Sequence, residues 1–404
     1  MSESRNNQLL KITEIEGRGR ALVASQPLKA GQVLLRDSPL LLYTAVALKN
    51  GDPSNFCTNC FRKLLLHDDA ARSKVLKCPN CSYHALFCSP NCQSIALSTS
   101  HTPWVCQALN CIRYSRSLLD PDAQIQAIFL ISAYNLAVVS PSSFQLLLSL
   151  QGESPAIPNP QTLALHSFIS SLSPPQSFAG FGFSPELTAA LLAKDKQNAF
   201  GLMDPIQENN NNSERSVRAY GIYPKASFFN HDCLPNACRF DYVDTAEDNN
   251  TDIIIRAIHD IQEGREICLS YFPVNWSYKD RQRRLMDDYG FTCDCDRCKV
   301  EANWKDDNDD NMESDDDDDE QMMAGGSDDQ EEEEDVEGGG GDNEDFPHAY
   351  FFVKYVCERE NCGGTLAPLP PSPEGTPSNV LECNVCGLLR TEEDEEEEDG
   401  VMSD

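Results

Sequence analysis

An apolar leader is missing from the sequence. Its first residues, Met1-Ser-Glu-Ser-Arg-Asn-Asn-Gln8, are polar and hold no apolar run, so no secretory signal is expected. A membrane span is missing as well: the longest apolar stretch, Ile125–Val139, is short for a bilayer and contains Gln126 and Asn135. The chain therefore reads as intracellular, with no membrane partner. Basic residues are absent from 306–345, which hold 22 Asp and Glu, and from 391–404, which hold nine more. Outside those blocks 34 acids face 32 Lys and Arg, so the net charge of −33 belongs to two segments and the rest is nearly neutral. Such blocks repel themselves and bury little, which predicts disorder. Solubility or spacing is their plain role, and contact with basic partners the sharper one.

Cysteine, by contrast, is abundant, with 18 in 404 residues. In a reducing compartment this points to metal rather than disulfides. Cys57-x2-Cys60, Cys78-x2-Cys81, Cys88-x3-Cys92 and His101-x4-Cys106 give eight ligands in four pairs, the number that two tetrahedral zinc ions need. His84 lies in the same module; His101 is preferred for its place in the last pair. Cys293-x-Cys295-x2-Cys298 supplies three ligands where a closed site takes four. Cys357-x4-Cys362 and Cys383-x2-Cys386 form a separate set, with Gly363, Gly364 and Gly387 placed for tight turns around a metal. Cys111, Cys238 and Cys268 sit among apolar residues and read as core fillers.

Apolar alternation over Leu9–Ile15, Leu22–Ala24 and Val33–Tyr43, with Gly17, Gly19 and Gly31 at the turns, predicts short strands. Residues 107–195 read as helical, with start signals at Asp120-Pro121 and Ser184-Pro185-Glu186. Strands return at Ala237–Val243, Asp252–Ile258 and Ile267–Tyr271, and Ser277–Asp288 reads as a charged amphipathic helix. Glu208–Glu214 and Thr245–Thr251 read as surface loops without evident chemistry.

Five motifs carry the chemistry. They are Glu16-Gly17-Arg18-Gly19-Arg20, Gln197-Asn198-Ala-Phe200, Gly221-Ile-Tyr-Pro through Asn230-His231-Asp232-Cys233, Glu266-Ile-Cys-Leu-Ser-Tyr271, and Phe291 before Cys293-Asp-Cys295-Asp-Arg-Cys298. In this order they resemble the catalytic core of a SET-domain lysine methyltransferase, and the first cysteine module resembles a MYND finger. Over roughly residues 9–300 the chain is similar to the SET- and MYND-domain family, in the form of its short plant and fungal members. An acidic linker and a small ribbon stand where longer animal members carry a helical bundle.

The resemblance implies an α+β fold, a β-rich SET domain split by a zinc finger and a helical insertion. Its parts are the SET N-terminal part (1–56), the MYND finger (57–106), the helical insertion (107–195), the SET core (196–272), post-SET (273–300), an acidic linker (301–347), a zinc-ribbon-like unit (348–390) and an acidic tail (391–404). In the finger the pairs interleave, so that Cys57, Cys60, Cys88 and Cys92 hold one zinc and Cys78, Cys81, His101 and Cys106 the other. Cys233 becomes the fourth ligand of Cys293, Cys295 and Cys298. Cys357, Cys362, Cys383 and Cys386 resemble a zinc ribbon and hold a fourth ion.

The implied reaction is methyl transfer from S-adenosyl-L-methionine to a protein lysine, with histone as the default substrate. Gly17, Arg18, Gly19, Asn198, Asn230, His231, Tyr271 and Phe291 would contact the donor: Asn230 its amino acid moiety, His231 its adenine end, Phe291 the adenine face. Tyr271 would orient the amine, since a phenol with a pKa near ~10 is a poor base at neutral pH. Tyr223 reads as structural, and Asp232 replaces the usual Ser. The finger resembles binders of proline-rich peptides. Its five Lys and Arg against two Asp make it only mildly basic, weak support for DNA contact. A monomer acting in the nucleus on chromatin is expected, with the cytoplasm as a second compartment. The competing reading is an inactive scaffold that recruits partners to chromatin.

Overall fold

A computed structural model of the chain describes residues 9–48, 55–66, 73–81, 85–114, 119–175, 182–205, 216–246, 249–304, 348–360 and 362–391. The acidic stretch 306–345, the acids that follow Thr391, the insertion Glu208–Glu214 and His84 lie outside the described residues.

The first hairpin pairs β1 (Leu10–Ile15) with β2 (Gly19–Ala24), Ile15 opposite Gly19. Its turn holds Gly17 and Gly19 at φ of 75° and 70°, left-handed backbone that a Cβ resists. The apolar run from Val33 to Tyr43 is not one strand. It divides into β3 (Val33–Asp37) and β4 (Leu41–Thr44), which join different sheets. Pro39 lies between them and has no N–H to offer a ladder.

The cysteine-rich module consists of β5 (Leu76–Lys77), β6 (Leu86–Phe87) and α1 (Pro90–Ser98), whose cap Ser89 accepts from Cys92 N–H at 3.1 Å. Cys106 lies on α2 (Pro103–Tyr114), so the module runs into the helical region that follows through one continuous helix. Then follow α3 (Pro121–Val139), α4 (Pro141–Ser149), α5 (Pro160–Ser171) and α6 (Pro185–Asn198). Each begins on proline, and Asp120, Asn159 and Ser184 cap three of them by accepting a backbone N–H. By length and composition α3 could cross a membrane. Here it is the core of the helical region, with Ala127, Phe129, Leu130, Ile131 and Ala133 fully buried against Phe144, Leu165 and Leu191.

β7 (Ala199–Met203) and β8 (Val217–Ile222) complete a sheet in the order β4-β8-β7. β9 (Asn230–His231), β10 (Ala237–Asp241), β11 (Ile253–Ala257) and β12 (Cys268–Leu269) follow. β11 pairs with both β10 and β3, and β12 runs parallel to β9. A second core of Leu22, Leu28, Phe229, Ile253, Ile255, Ile267 and Leu269 lies among these strands.

The loop around Thr245–Thr251 carries more than its polarity suggests. Asp244, at φ 68°, accepts from Lys63 N–H at 2.9 Å and from the buried Arg218 at 2.8 Å. Asn250 donates to the Cys60 carbonyl, and Arg62 donates to that of Ala246. These bonds seat the cysteine module on the strands.

α7 (Tyr278–Arg284) continues as a π turn, Leu285–Tyr289, which stops at Gly290 with φ 77°. α8 (Asp296–Glu301) follows. The C-terminal unit is α9 (Ala349–Tyr355) with the sheet β13 (Leu366–Pro368), β14 (Val380–Cys383) and β15 (Leu389–Thr391). It packs on one face of the sheet formed by β10, β11 and β3. Phe351, Tyr355 and Ala367 meet Cys238, Phe240, Ile254 and Ile258, and Phe352 lies under the Arg297 guanidinium at 4.6 Å.

Candidate active site

The site forms where β9 and β12 run side by side, Cys268 opposite Asn230 and Leu269 opposite His231. Asn236 fastens the crossing: its side chain donates to Glu266 O at 2.8 Å and accepts from Cys268 N–H at 2.9 Å. The hairpin turn at Gly17–Gly19 lies against this pair. Arg18 donates to the His231 carbonyl at 2.9 Å and pairs with Glu266 at 2.9 Å. Asn230 Nδ2 donates to the other oxygen of Glu266 at 2.8 Å and reaches Arg18 O at 3.4 Å. Gly17, Arg18, Gly19 and Asn230, all singled out in the sequence, thus come together around a carboxylate that sequence reasoning passed over. Glu266 lies in the motif that ends at Tyr271, and that is where its signal lay.

Tyr271 is two residues beyond β12. Its phenol donates to Phe229 O at 2.9 Å. Burial, with Tyr289 alongside, raises the phenol above its ordinary range, so it stays protonated at neutral pH. The Tyr289 ring lies 4.7 Å from that of Tyr271, and Phe291 lies 6.4 Å from Tyr289 with 38% of its surface exposed. Tyr289 is a further aromatic that sequence reasoning missed; only its place two residues before Phe291 hinted at it.

His231 and Asn198 both turn side-chain atoms into the fold. The imidazole of His231 is 2% exposed. Tyr271 N–H donates to its Nδ1 at 3.2 Å, and its Nε2 lies 3.2 Å from Cys233 Sγ. Both ring nitrogens are therefore used inside the fold, and the part of His231 facing Arg18 is its carbonyl. Asn198, the last residue of α6, commits its amide nitrogen to the carbonyls of Lys194 and Gln151, both at 2.7 Å. It ties the helix end to the neighbouring loop and keeps only its carbonyl oxygen for a ligand. Asp232 accepts from Leu234 N–H at 2.9 Å, a local turn that this short polar side chain forms readily.

The cysteines fall into the four expected groups: Cys57, Cys60, Cys88 and Cys92; Cys78, Cys81, His101 and Cys106; Cys233, Cys293, Cys295 and Cys298; Cys357, Cys362, Cys383 and Cys386. Ligand atoms within each lie within 4.8 Å of one another. An ion with Zn–S bonds of about 2.3 Å in a tetrahedron needs S···S edges of about 3.8 Å. The sulfur–sulfur separations include 3.6 Å for Cys60–Cys88, 3.9 Å for Cys78–Cys106, 3.5 Å for Cys233–Cys298 and 3.7 Å for Cys357–Cys386. All four groups fit zinc on chemistry and on size.

The third group carries a positive collar. Arg281, wholly buried, donates to Cys233 Sγ at 3.3 Å and Cys298 Sγ at 3.7 Å, and pairs with Glu301. Arg297 bonds Glu301 at 2.6 Å and the Val274 carbonyl at 2.6 Å. Four thiolates around one Zn2+ would leave two negative charges; the two guanidinium groups, less the Glu301 carboxylate they share, offset one of these where water is excluded.

A family model described as SET domain matches residues 19–272. Histone-lysine N-methyltransferase ASHR2 of Arabidopsis thaliana is 55% identical over 400 residues, which cover 95% of this chain and 96% of that protein. Histone-lysine N-methyltransferase SMYD3 of Homo sapiens is 25% identical over 289 residues, 70% of this chain and 60% of that protein. N-lysine methyltransferase SMYD2 of Homo sapiens is also 25% identical, over 70% of this chain and 59% of its own length. The match spans nearly all of the plant relative and about three-fifths of the human ones.

Proposed function

The chain belongs to the SET-domain family, and from that premise we propose that it transfers a methyl group from S-adenosyl-L-methionine to the ε-amine of lysine in a protein, histones being the substrate class. The observation that carries the reading is the joint presence of Arg18, Asn230, Glu266 and Tyr271 at one strand crossing, beside a four-cysteine group that includes Cys233. The plant relative named for histone-lysine methyl transfer supports it.

When bound, the donor would supply a methyl group on a positively charged sulfur: an unprotonated amine would take the methyl carbon in line as the carbon–sulfur bond breaks, the sulfur leaving as a neutral thioether and the amine's surplus proton passing to water. The residues suit such a ligand. Arg18 and Glu266 offer opposite charges 2.9 Å apart, the pattern that a zwitterionic amino acid end requires. Asn230 keeps its amide oxygen for the same group. Phe291 has exposed ring face to cover an adenine. Tyr271, kept neutral by burial, holds its oxygen lone pairs for an amine N–H while its own proton rests on Phe229 O. It therefore aligns the amine and limits water; it does not remove the proton. Zinc does no chemistry here. The finger's two sites and the C-terminal site are scaffolding, and the shared Cys233 site ties the post-SET segment with Phe291 over the strand crossing.

In domain terms, a SET domain is split by a MYND-type finger and a helical insertion, then closed by post-SET and ribbon-like zinc sites. A chromatin setting in the nucleus follows from the substrate class. The test is transfer of labelled methyl groups to histones and to cell extract, with the modified residue located by mass spectrometry. Label on lysine Nζ supports the proposal. Donor binding without transfer to any protein would favour the scaffold reading.

A further inference from the structure

The His231 ring stands between two groups that no backbone bond connects. The ladder between β9 and β12 makes its last backbone rung from Asp232 N–H to Leu269 O at 3.0 Å. The next donor along that strand, Tyr271 N–H, turns to His231 Nδ1 at 3.2 Å. A backbone N–H can only donate, so Nδ1 must be the bare, accepting nitrogen. In a neutral imidazole the proton then sits on Nε2. That nitrogen lies 3.2 Å from Cys233 Sγ and points its N–H at the sulfur. Cys233 is also the ligand that Arg281 Nε approaches at 3.3 Å, so its sulfur is held from two sides besides the metal.

We infer that the His231 imidazole is a positioning strut between the shared zinc thiolate and the backbone of Tyr271. The inference rests on the reading of Tyr271 given above. Zinc binding fixes Cys233 Sγ, the Nε2–H bond fixes the ring, and Nδ1 fixes Tyr271 N. The phenol is then held from both ends, by the strut at its backbone and by Phe229 O at its hydroxyl. Both ring nitrogens are committed to the strut. Loss of metal at the post-SET site would reach the reacting amine by two routes, through the loosened segment and through a displaced Tyr271.

Two half-struts separate the ends. His231→Gln keeps an N–H near the Nε2 position and loses the acceptor at Nδ1. His231→Asn keeps an acceptor near Nδ1 and no longer reaches Cys233. The Gln variant should keep the zinc content of the unsubstituted chain and its donor Kd, while kcat falls on the order of 10- to 100-fold, the cost of a reacting group misplaced by about 1 Å. The Asn variant should surrender one zinc at a chelator concentration about 10- to 100-fold lower, as loss of a bond to a metal ligand does. A Gln variant with unchanged kcat, or donor affinity lost first in both variants, overturns the strut. Should neither variant fold, nitrogen NMR of the unsubstituted protein still decides: the strut requires the His231 proton on Nε2, and a proton on Nδ1 refutes it. A protein that transfers no methyl group would defeat the proposed function instead, and the zinc and proton readings would still judge the strut.

Discussion

Tyr43, on β4, donates its phenol proton to Asp195 Oδ1 at 2.5 Å, joining the strand to α6. Burial lifts the Asp195 carboxyl from 3.8 to about 7, against the pull of that hydrogen bond. An acid with a raised folded pKa binds its proton more tightly in the folded state than in the unfolded one. Its stabilising share is complete below the unfolded value of 3.8 and is lost as the pH rises through about 7. Asp195→Asn keeps an acceptor for Tyr43 and removes the charge. Its melting temperature should equal or exceed that of the unsubstituted chain at pH 8, with the advantage shrinking towards pH 5; a deficit that grows at pH 8 would contradict the assignment. At this scale the sequence was legible in residue type more than in orientation. Tyr271 and Asn230 could be named from their motifs. The inward turn of His231 and the second bond of the Asn198 amide depend on Tyr271 and Gln151, far away in the chain, and no local pattern announces them.

The elements were legible where the signal is local. Prolines with Asp, Asn or Ser before them mark the helix starts, and the cysteine pairs mark the four metal groups, because ligand spacing and capping act over a few residues. Long-range docking left no such mark. Val33–Tyr43 reads as one strand until Pro39 is seen to divide it between two sheets. The loop at Thr245–Thr251 reads as bare surface, yet Asn250 and Ala246 within it grip the cysteine module. The C-terminal unit reads as a separate ribbon, yet Glu382 on β14 accepts from Tyr242 at 2.9 Å and pairs with the buried Arg256 at 2.9 Å. Gly31 supports the same contact, since a Cβ there would stand 2.9 Å from Pro368 O. Glu382→Ala would strand Arg256 inside the interface. Breaking a buried pair in this way costs about 3–5 kcal/mol, so the variant should melt at a lower temperature and release its C-terminal unit faster under limited proteolysis. Unchanged melting and unchanged protease resistance would show that the unit is only loosely attached.

Across the whole molecule the metal groups act as fastenings between parts that are distant in sequence. Cys233 joins the strand crossing to the segment bearing Phe291, Cys106 joins the cysteine-rich module to the helices that follow, and the C-terminal group holds the unit that packs on the sheet of β10 and β11. Metal analysis should give close to four zinc ions per chain, matching the four groups, and Cys233→Ser should lose one together with donor affinity. About two per chain, or a Cys233→Ser protein with full metal and full affinity, would contradict the shared site. The most direct test of the account as a whole is the kinetics of Tyr271→Phe. Removing one hydroxyl keeps the ring contacts with Tyr289 and costs only the bond to Phe229 O and the hold on the amine. Turnover on a lysine substrate should fall by two orders of magnitude or so, the scale of a lost alignment, while donor Kd and zinc content stay put. A Tyr271→Phe protein that methylates the same lysine at the unsubstituted rate, with the same number of methyl groups added, would show that Tyr271 is not where the amine is held.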